Sequence, residues 1–187
     1  MKKQEVLIIE SRSDQDIYDG RGEGETLKRI LHLQGVNAKS IEAINEKMLI
    51  KALKVAQREN IKYVHISAHG YDKGFALTDD AIITWRDLDR IAWPILRGKC
   101  ICFSSCSVGN GAEELFTLHK SFCNAIIAPT RDISWGEALV AYSAFYHRTQ
   151  LRGKSSVQNV KVMNHIVGAG TFRIIESPYM SHTYTIG

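Results

Sequence analysis

The chain reads as an α/β protein built on one mostly parallel sheet with helices on both faces, and three observations predict it. Short apolar runs recur along its length, amphipathic segments of helical period separate them, and most connections are long enough to be crossovers rather than hairpins. With 187 residues, 44% hydrophobic and 24% charged, the chain can cover one sheet on both faces but is too short for two full-sized domains. A single domain over 1–187 is expected.

Glu5 to Ile9 supplies the first strand. A polar loop with Gly20, Gly22 and Gly24 follows, then a helix from about Glu25 to Gln34 that sets Leu27, Ile30 and Leu31 on one face and is closed by Gly35. Val36 to Ile44 can supply a second strand. Glu46 to Glu59 is amphipathic, with Leu49, Ala52, Leu53 and Ala56 at helical spacing. Two further apolar strands run through Tyr63 to Ala68 and Cys100 to Phe103. Between them, Gly74 to Thr84 reads as a hairpin with Asp79 and Asp80 in its turn, and Trp85 to Leu96 as a short helical crossover. Helix, strand and helix follow from Gly111 to Arg152. Thr171 to Glu176 is a late strand closed by Pro178, and an exposed edge strand there could pair two copies into a homodimer.

Two of these strands end in reactive side chains. Tyr63-Val64-His65-Ile66-Ser67-Ala68-His69-Gly70 delivers an imidazole, and Cys100-Ile101-Cys102-Phe103-Ser104-Ser105-Cys106-Ser107-Val108-Gly109 delivers a thiol, each followed by small residues. In a parallel sheet both would reach the carboxyl-end edge, where open α/β sheets place ligands. A thiol with an ordinary pKa of about 8.5 is mostly protonated at neutral pH, and a nearby histidine can take its proton. Gly70 lets the backbone approach a bound carbonyl, and its N–H with that of Cys106 could form an oxyanion hole.

These motifs resemble the caspase-like cysteine peptidases of clan CD, and within them the bacterial CHAT domains. A histidine-glycine ends one strand and a cysteine, 37 positions on, ends the next. Downstream, Asn124 to Thr130, Trp135 and Ala144-Phe145-Tyr146-His147-Arg148 extend the likeness to roughly positions 60 to 165. The glutamine-alanine-cysteine-x-glycine signature of animal caspases is absent, and Ser104 stands where metacaspases usually carry an aspartate. The resemblance implies a caspase-like three-layer sandwich. It also implies a cysteine endopeptidase in which His69 and Cys106 cleave a protein substrate through an acyl-enzyme, with no cofactor. A regulatory protein or activating domain would switch it on, as in a bacterial effector of antiviral defence or cell death. The pocket for the residue before the cut bond would draw on Glu10, Ser11 and Arg12, on Ser104, and on Thr130, Arg131 and Asp132. Arg12 or Arg131 could receive an acidic side chain; Glu10, Asp14 or Asp132 could receive a basic one. A silent interaction module of the same fold, or a thiol hydrolase of a small ester or amide, are the alternatives.

Other classes find little support. The formal charge is +4 and the pI near 8.9, but Lys and Arg are spread out with no interleaved aromatics, so no nucleic-acid partner is expected. No stretch approaches the ~20 apolar residues needed to span a bilayer. Four cysteines without a leader-like segment point to a reducing, cytoplasmic setting. His65 reads as a core histidine, and Cys100, Cys102 and Cys123 as packing residues rather than zinc ligands. The Gly20 to Gly24 stretch lacks Gly-Lys-Ser/Thr and is acidic, which disfavours phosphate; it reads as a substrate-facing loop.

Overall fold

A computed structural model describes residues 5–153 and 155–179, so the ends of the expected domain and Lys154 lie outside the described residues. In chain order, β1 (Val6–Ser11) leads through α1 (Asp14–Tyr18) and α2 (Gly24–Leu33) to β2 (Ala38–Glu42), and α3 (Glu46–Arg58) leads to β3 (Tyr63–Ala68). Then come β4 (Gly70–Tyr71), β5 (Gly74–Ala76), β6 (Ile82–Thr84), α4 (Trp85–Ala92) and β7 (Cys100–Phe103). The chain continues with α5 (Glu114–Leu118), β8 (Ala125–Pro129), α6 (Trp135–Tyr146), α7 (Ser156–Val167) and β9 (Phe172–Glu176).

The central sheet has six strands in the order β2-β1-β3-β7-β8-β9. All neighbours are parallel except β9, which runs antiparallel to β8 at one edge. Every residue of β1, β3, β7 and β8 is buried, as strands covered on both faces require. Period-two alternation divides them between two cores. Leu7, Ile9, Val64, Ile66, Ile101, Phe103 and Ile126 pack with Leu49 and Leu53 of α3, Leu88 of α4 and Leu115 of α5. Val6, Ile8, Tyr63, Cys100, Cys102 and Ile127 pack with Leu27 and Leu31 of α2, Tyr142, Phe145 and Tyr146 of α6, and Met163 of α7. This is the expected three-layer sandwich with a mostly parallel sheet.

The expected hairpin forms between β5 and β6, with Asp80 in the left-handed turn position at φ 62°. β4 adds a third strand to it, unforeseen from sequence. The polar loop after β1 holds an equally unforeseen helix, α1, because Ser13 and Asp16 form a reciprocal capping box at its start. α7, unassigned from sequence, is capped by Ser155 and packs on α6 and β9. No helix among the described residues is long and apolar enough to cross a membrane.

The strand order brings two departures together. The chain leaves β1 towards β2 and leaves β3 towards β7, so adjacent strands send their following loops in opposite directions. A crevice opens at such a reversal, beyond the carboxyl ends. α1 flanks it from one side and the continuation of β3 from the other.

Candidate active site

The register of β3 and β7 decides the position of the two reactive side chains. Tyr63 pairs with Cys100, Val64 with Ile101, His65 with Cys102 and Ile66 with Phe103. Each pair is separated by 37 positions, the same separation as His69 and Cys106, so the histidine and cysteine leave the sheet level with one another. The Ser104 N–H still donates to the Ile66 carbonyl at 2.9 Å, extending the ladder one step before the chains part. Both residues line one cleft of about 630 Å³, with Asp16, Gly20, Arg21, Gly22, Ser104 and Trp135 among its walls.

His69 is the single link between β3 and the small antiparallel sheet. Its carbonyl accepts the Ala76 N–H at 2.8 Å, which makes His69 and Ala76 a hydrogen-bonded pair. Gly70, opposite Phe75, then falls at a non-hydrogen-bonded position with its N–H turned away from β5. A Cβ on Gly70 would lie 2.6 Å from the Ser105 Cβ and 2.8 Å from the Val108 Cγ2. The absence of a side chain therefore lets the histidine loop close on the cysteine loop.

The imidazole is fixed from the far side. His69 Nε2 donates to Asp16 Oδ2 at 2.5 Å, the carboxylate being buried and the ring half exposed. This leaves Nδ1 to exchange a proton in the cleft. Ser13 Oγ donates to the same Oδ2 at 2.7 Å, and Arg21 Nε lies 3.3 Å from Oδ1. Burial alone would raise the Asp16 carboxyl, but the Ser13 hydroxyl and His69 outweigh it and hold it below the usual range. The Trp135 ring stands edge-on to His69 at 5.6 Å between centroids.

Cys106 sits on a tight turn. Ser107 adopts a left-handed conformation at φ 57°, uncommon outside glycine and asparagine. It is held by its N–H on the Arg131 carbonyl at 3.1 Å and its hydroxyl on Asp132 Oδ1 at 3.2 Å. The thiol is half-buried against the loop after β8: the Ile133 N–H donates to Sγ at 3.4 Å, and Sγ is 3.6 Å from the Ile133 carbonyl oxygen. The other cysteines differ. Burial pushes the Cys102 and Cys123 thiols well up, and all three of Cys100, Cys102 and Cys123 are buried.

The pocket residues named from sequence fare unequally. Ser104 lines the cleft, with its hydroxyl 2.9 Å from His65 Nε2. Arg12 pairs with Glu42 at 2.7 Å, and neither it nor Arg131 nor Asp132 lines the cleft. Glu10 lies behind the wall, its carboxylate accepting the N–H groups of Glu23 and Gly24 at 2.7 Å each, where α2 begins. Of the glycine loop, Gly20, Arg21 and Gly22 line the cleft. Asp16 was not singled out; the Ser13-x-x-Asp16 capping pattern was the available signal. No three His, Cys, Asp or Glu side chains among the described residues gather to hold a metal ion.

No family model and no curated protein matches this sequence. Among solved structures, the chain is similar to the complex of the pro- and mature domains of RgpB from Porphyromonas gingivalis, with a TM-score of 0.59 and 12% identity. The match covers 94% of this chain and 47% of that one, so the chain spans about half the length of the solved protein. At that identity the likeness is one of fold, and it agrees with a caspase-like sandwich.

Proposed function

We propose that the chain is a cysteine endopeptidase in which Cys106 is the nucleophile, His69 the general base and acid, and Asp16 the group that orients His69. The observation that carries this reading is the level placement of His69 and Cys106 in one cleft, with the imidazole held through Nε2 by a buried carboxylate. The fold supports it, since the similar RgpB is a gingipain, a clan CD cysteine peptidase.

Cys106 Sγ attacks the substrate carbonyl carbon while its proton passes to His69 Nδ1. The negative charge moves to the carbonyl oxygen, within reach of the Gly70 and Cys106 N–H groups. Collapse breaks the C–N bond, and the imidazolium returns its proton to the leaving amine. Water then attacks the thioester, again giving a proton to His69, and the acid product leaves with the thiol restored.

The cleft favours a basic side chain before the cut bond. Asp16 lines it, Glu10 lies buried behind Gly22, and Glu23, which accepts the Ser67 hydroxyl, is buried with no hydrogen-bond partner for its Oε1. Against these three carboxylates the cleft walls offer one guanidinium, Arg21, itself paired with Asp16 and Asp19. A cationic substrate side chain offsets that charge at low effective dielectric.

A diversified peptide library incubated with the wild type, Cys106→Ala and His69→Ala, with cuts read by mass spectrometry, tests the reading. Cuts that vanish in both variants and cluster after Lys or Arg are expected. Wild-type cuts that persist in Cys106→Ala refute it, and cuts after acidic residues refute the pocket assignment alone. An activating protein, and a role as a bacterial effector in defence or cell death, belong to the same proposal by analogy of family.

A further inference from the structure

Arg131 stands on the loop between β8 and α6, away from the cleft, and its guanidinium makes four hydrogen bonds within and around that loop. Its Nε donates to Thr171 Oγ1 at 3.2 Å and its Nη1 to the Asp132 carbonyl at 2.6 Å. Nη2 donates to Glu137 Oε1 at 2.8 Å and to the Val167 carbonyl at 3.0 Å. One planar fork thus joins the loop to the first turn of α6, the carboxyl end of α7 and the residue before β9. A flexible ammonium could not satisfy these four directions together. Thr130 adds its hydroxyl on the Gly170 carbonyl at 2.6 Å.

Two residues further on, the same loop grips the nucleophile. Ile133 presents its N–H to Cys106 Sγ, and its carbonyl lies near the same sulfur. The Arg131 carbonyl accepts the Ser107 N–H, holding the left-handed residue that follows the cysteine. The loop therefore meets the cysteine turn at two points, the Cys106 sulfur and the Ser107 N–H. Glu137, held down to about 2 chiefly by the Arg131 guanidinium, stays charged wherever the enzyme would work.

We infer that Arg131 is a positioning residue: it fixes the loop that aims the Cys106 thiol at the cleft and supplies the Ile133 N–H to its sulfur. The inference rests on the reading of Cys106 as nucleophile, but its mechanism is independent of which peptide is cut. A hydrogen bond to a sulfur bearing charge stabilises the thiolate, and loosening the loop removes it.

The test is the rate of Cys106 alkylation by iodoacetamide at pH 7 in the full chain, resolved from the other cysteines by peptide mass spectrometry. The wild type is compared with Arg131→Lys and Arg131→Ala. The expected result is a rate about tenfold lower in Arg131→Lys, with a thermal midpoint near that of the wild type and a greater loss in Arg131→Ala. Because the ratio is read without substrate, it is informative whether or not the wild type cleaves peptides. An unchanged or faster rate in Arg131→Lys overturns the inference and leaves the peptidase reading standing. Where peptides are cut, Arg131→Lys should lower kcat with KM unchanged; a raised KM with kcat unchanged would make Arg131 a substrate contact and overturn it too.

Discussion

The sheet carries two histidine–cysteine rungs four residues apart, and they could hardly differ more. His65 pairs in register with Cys102 inside the sheet; His69 and Cys106 stand level just beyond its end. The inner pair is wholly buried. His65 is hydrogen-bonded to Tyr146 Oη at 3.1 Å and Ser104 Oγ at 2.9 Å, with Glu23 Oε2 at 3.5 Å, and it packs edge-on against Tyr142. The Cys102 thiol beside it is pushed up by burial. The outer pair faces a cleft, with one ring nitrogen tied to Asp16 and the sulfur tied to backbone. Residue type alone therefore does not make a site. Position relative to the end of the strand does, because only there can a side chain meet both a partner and a substrate.

The sharpest way to break this comparison is to delete one member of each rung. Cys106→Ala and His69→Ala should lower peptide cleavage by at least about 10⁴-fold. Thermal midpoints should stay near wild type, since His69 is half exposed. Residual turnover above that floor in Cys106→Ala would place the nucleophile elsewhere. His65→Ala should do the opposite. It leaves Ser104, Tyr146 and Glu23 without a shared partner in a buried interior, a loss of roughly 2–4 kcal/mol that lowers the midpoint by roughly 5–15 °C. If His65→Ala retains its midpoint, the inner network is not the support it is taken to be.

Asp16→Asn asks how much of the difference between the rungs lies in the orienting carboxylate. The amide keeps the size of the side chain but presents an N–H or a neutral oxygen to Nε2. Cleavage should fall about a hundredfold, chiefly in kcat, while Cys106 remains alkylatable. A loss confined to KM would show that Asp16 serves the substrate rather than His69. Gly70→Ala is milder in chemistry but not in packing, because the added methyl meets Ser105 and Val108 at under 3 Å. It should cost roughly 1–3 kcal/mol, or roughly 2–12 °C in midpoint. An unchanged midpoint would mean that the two loops do not need that close approach.

The same contrast explains what the sequence could and could not disclose. β1, β3, β7 and β8 were legible because fully buried strands read as unbroken apolar runs. The His–Cys separation was legible too, but that it equals the β3–β7 register offset needs the pairing. Asp16 was hidden because α1 has only five residues, too few for a periodic signal, and its capping box uses aspartate where glutamate is usual. Arg131 and Asp132 lie on the loop that contacts Cys106, yet a sequence cannot say which way a side chain turns. Arg131 turns to α7 and the residue before β9, and Asp132 to Ser107. Glu10, expected at the pocket, is a buried acceptor for the backbone N–H groups at the start of α2. In each of these cases the missing information is a long-range contact.

The smallest expected effect isolates the orienting carboxylate by acid. Asp16 has a folded pKa below its ordinary value of 3.8, the cost of burial being outweighed by Ser13 and His69. The folded chain therefore binds fewer protons here than the unfolded chain as the pH approaches that range, so stability rises with pH through it. The contribution is complete above about pH 4 and is lost as the pH falls through the depressed folded value. Thermal midpoints of the wild type and Asp16→Asn, followed from pH 7 to pH 2, should differ by a constant amount down to about pH 4 and converge below it. Convergence between pH 7 and pH 5 would instead trace the difference to an imidazole, and a gap that never closes would trace it to packing of the α1 turn. Glu137 titrates in an overlapping acid range, its pKa lowered to about 2 by Arg131 and Ser134. It is common to both proteins and cancels in the comparison, so the convergence reports Asp16 and the network that holds His69 in place.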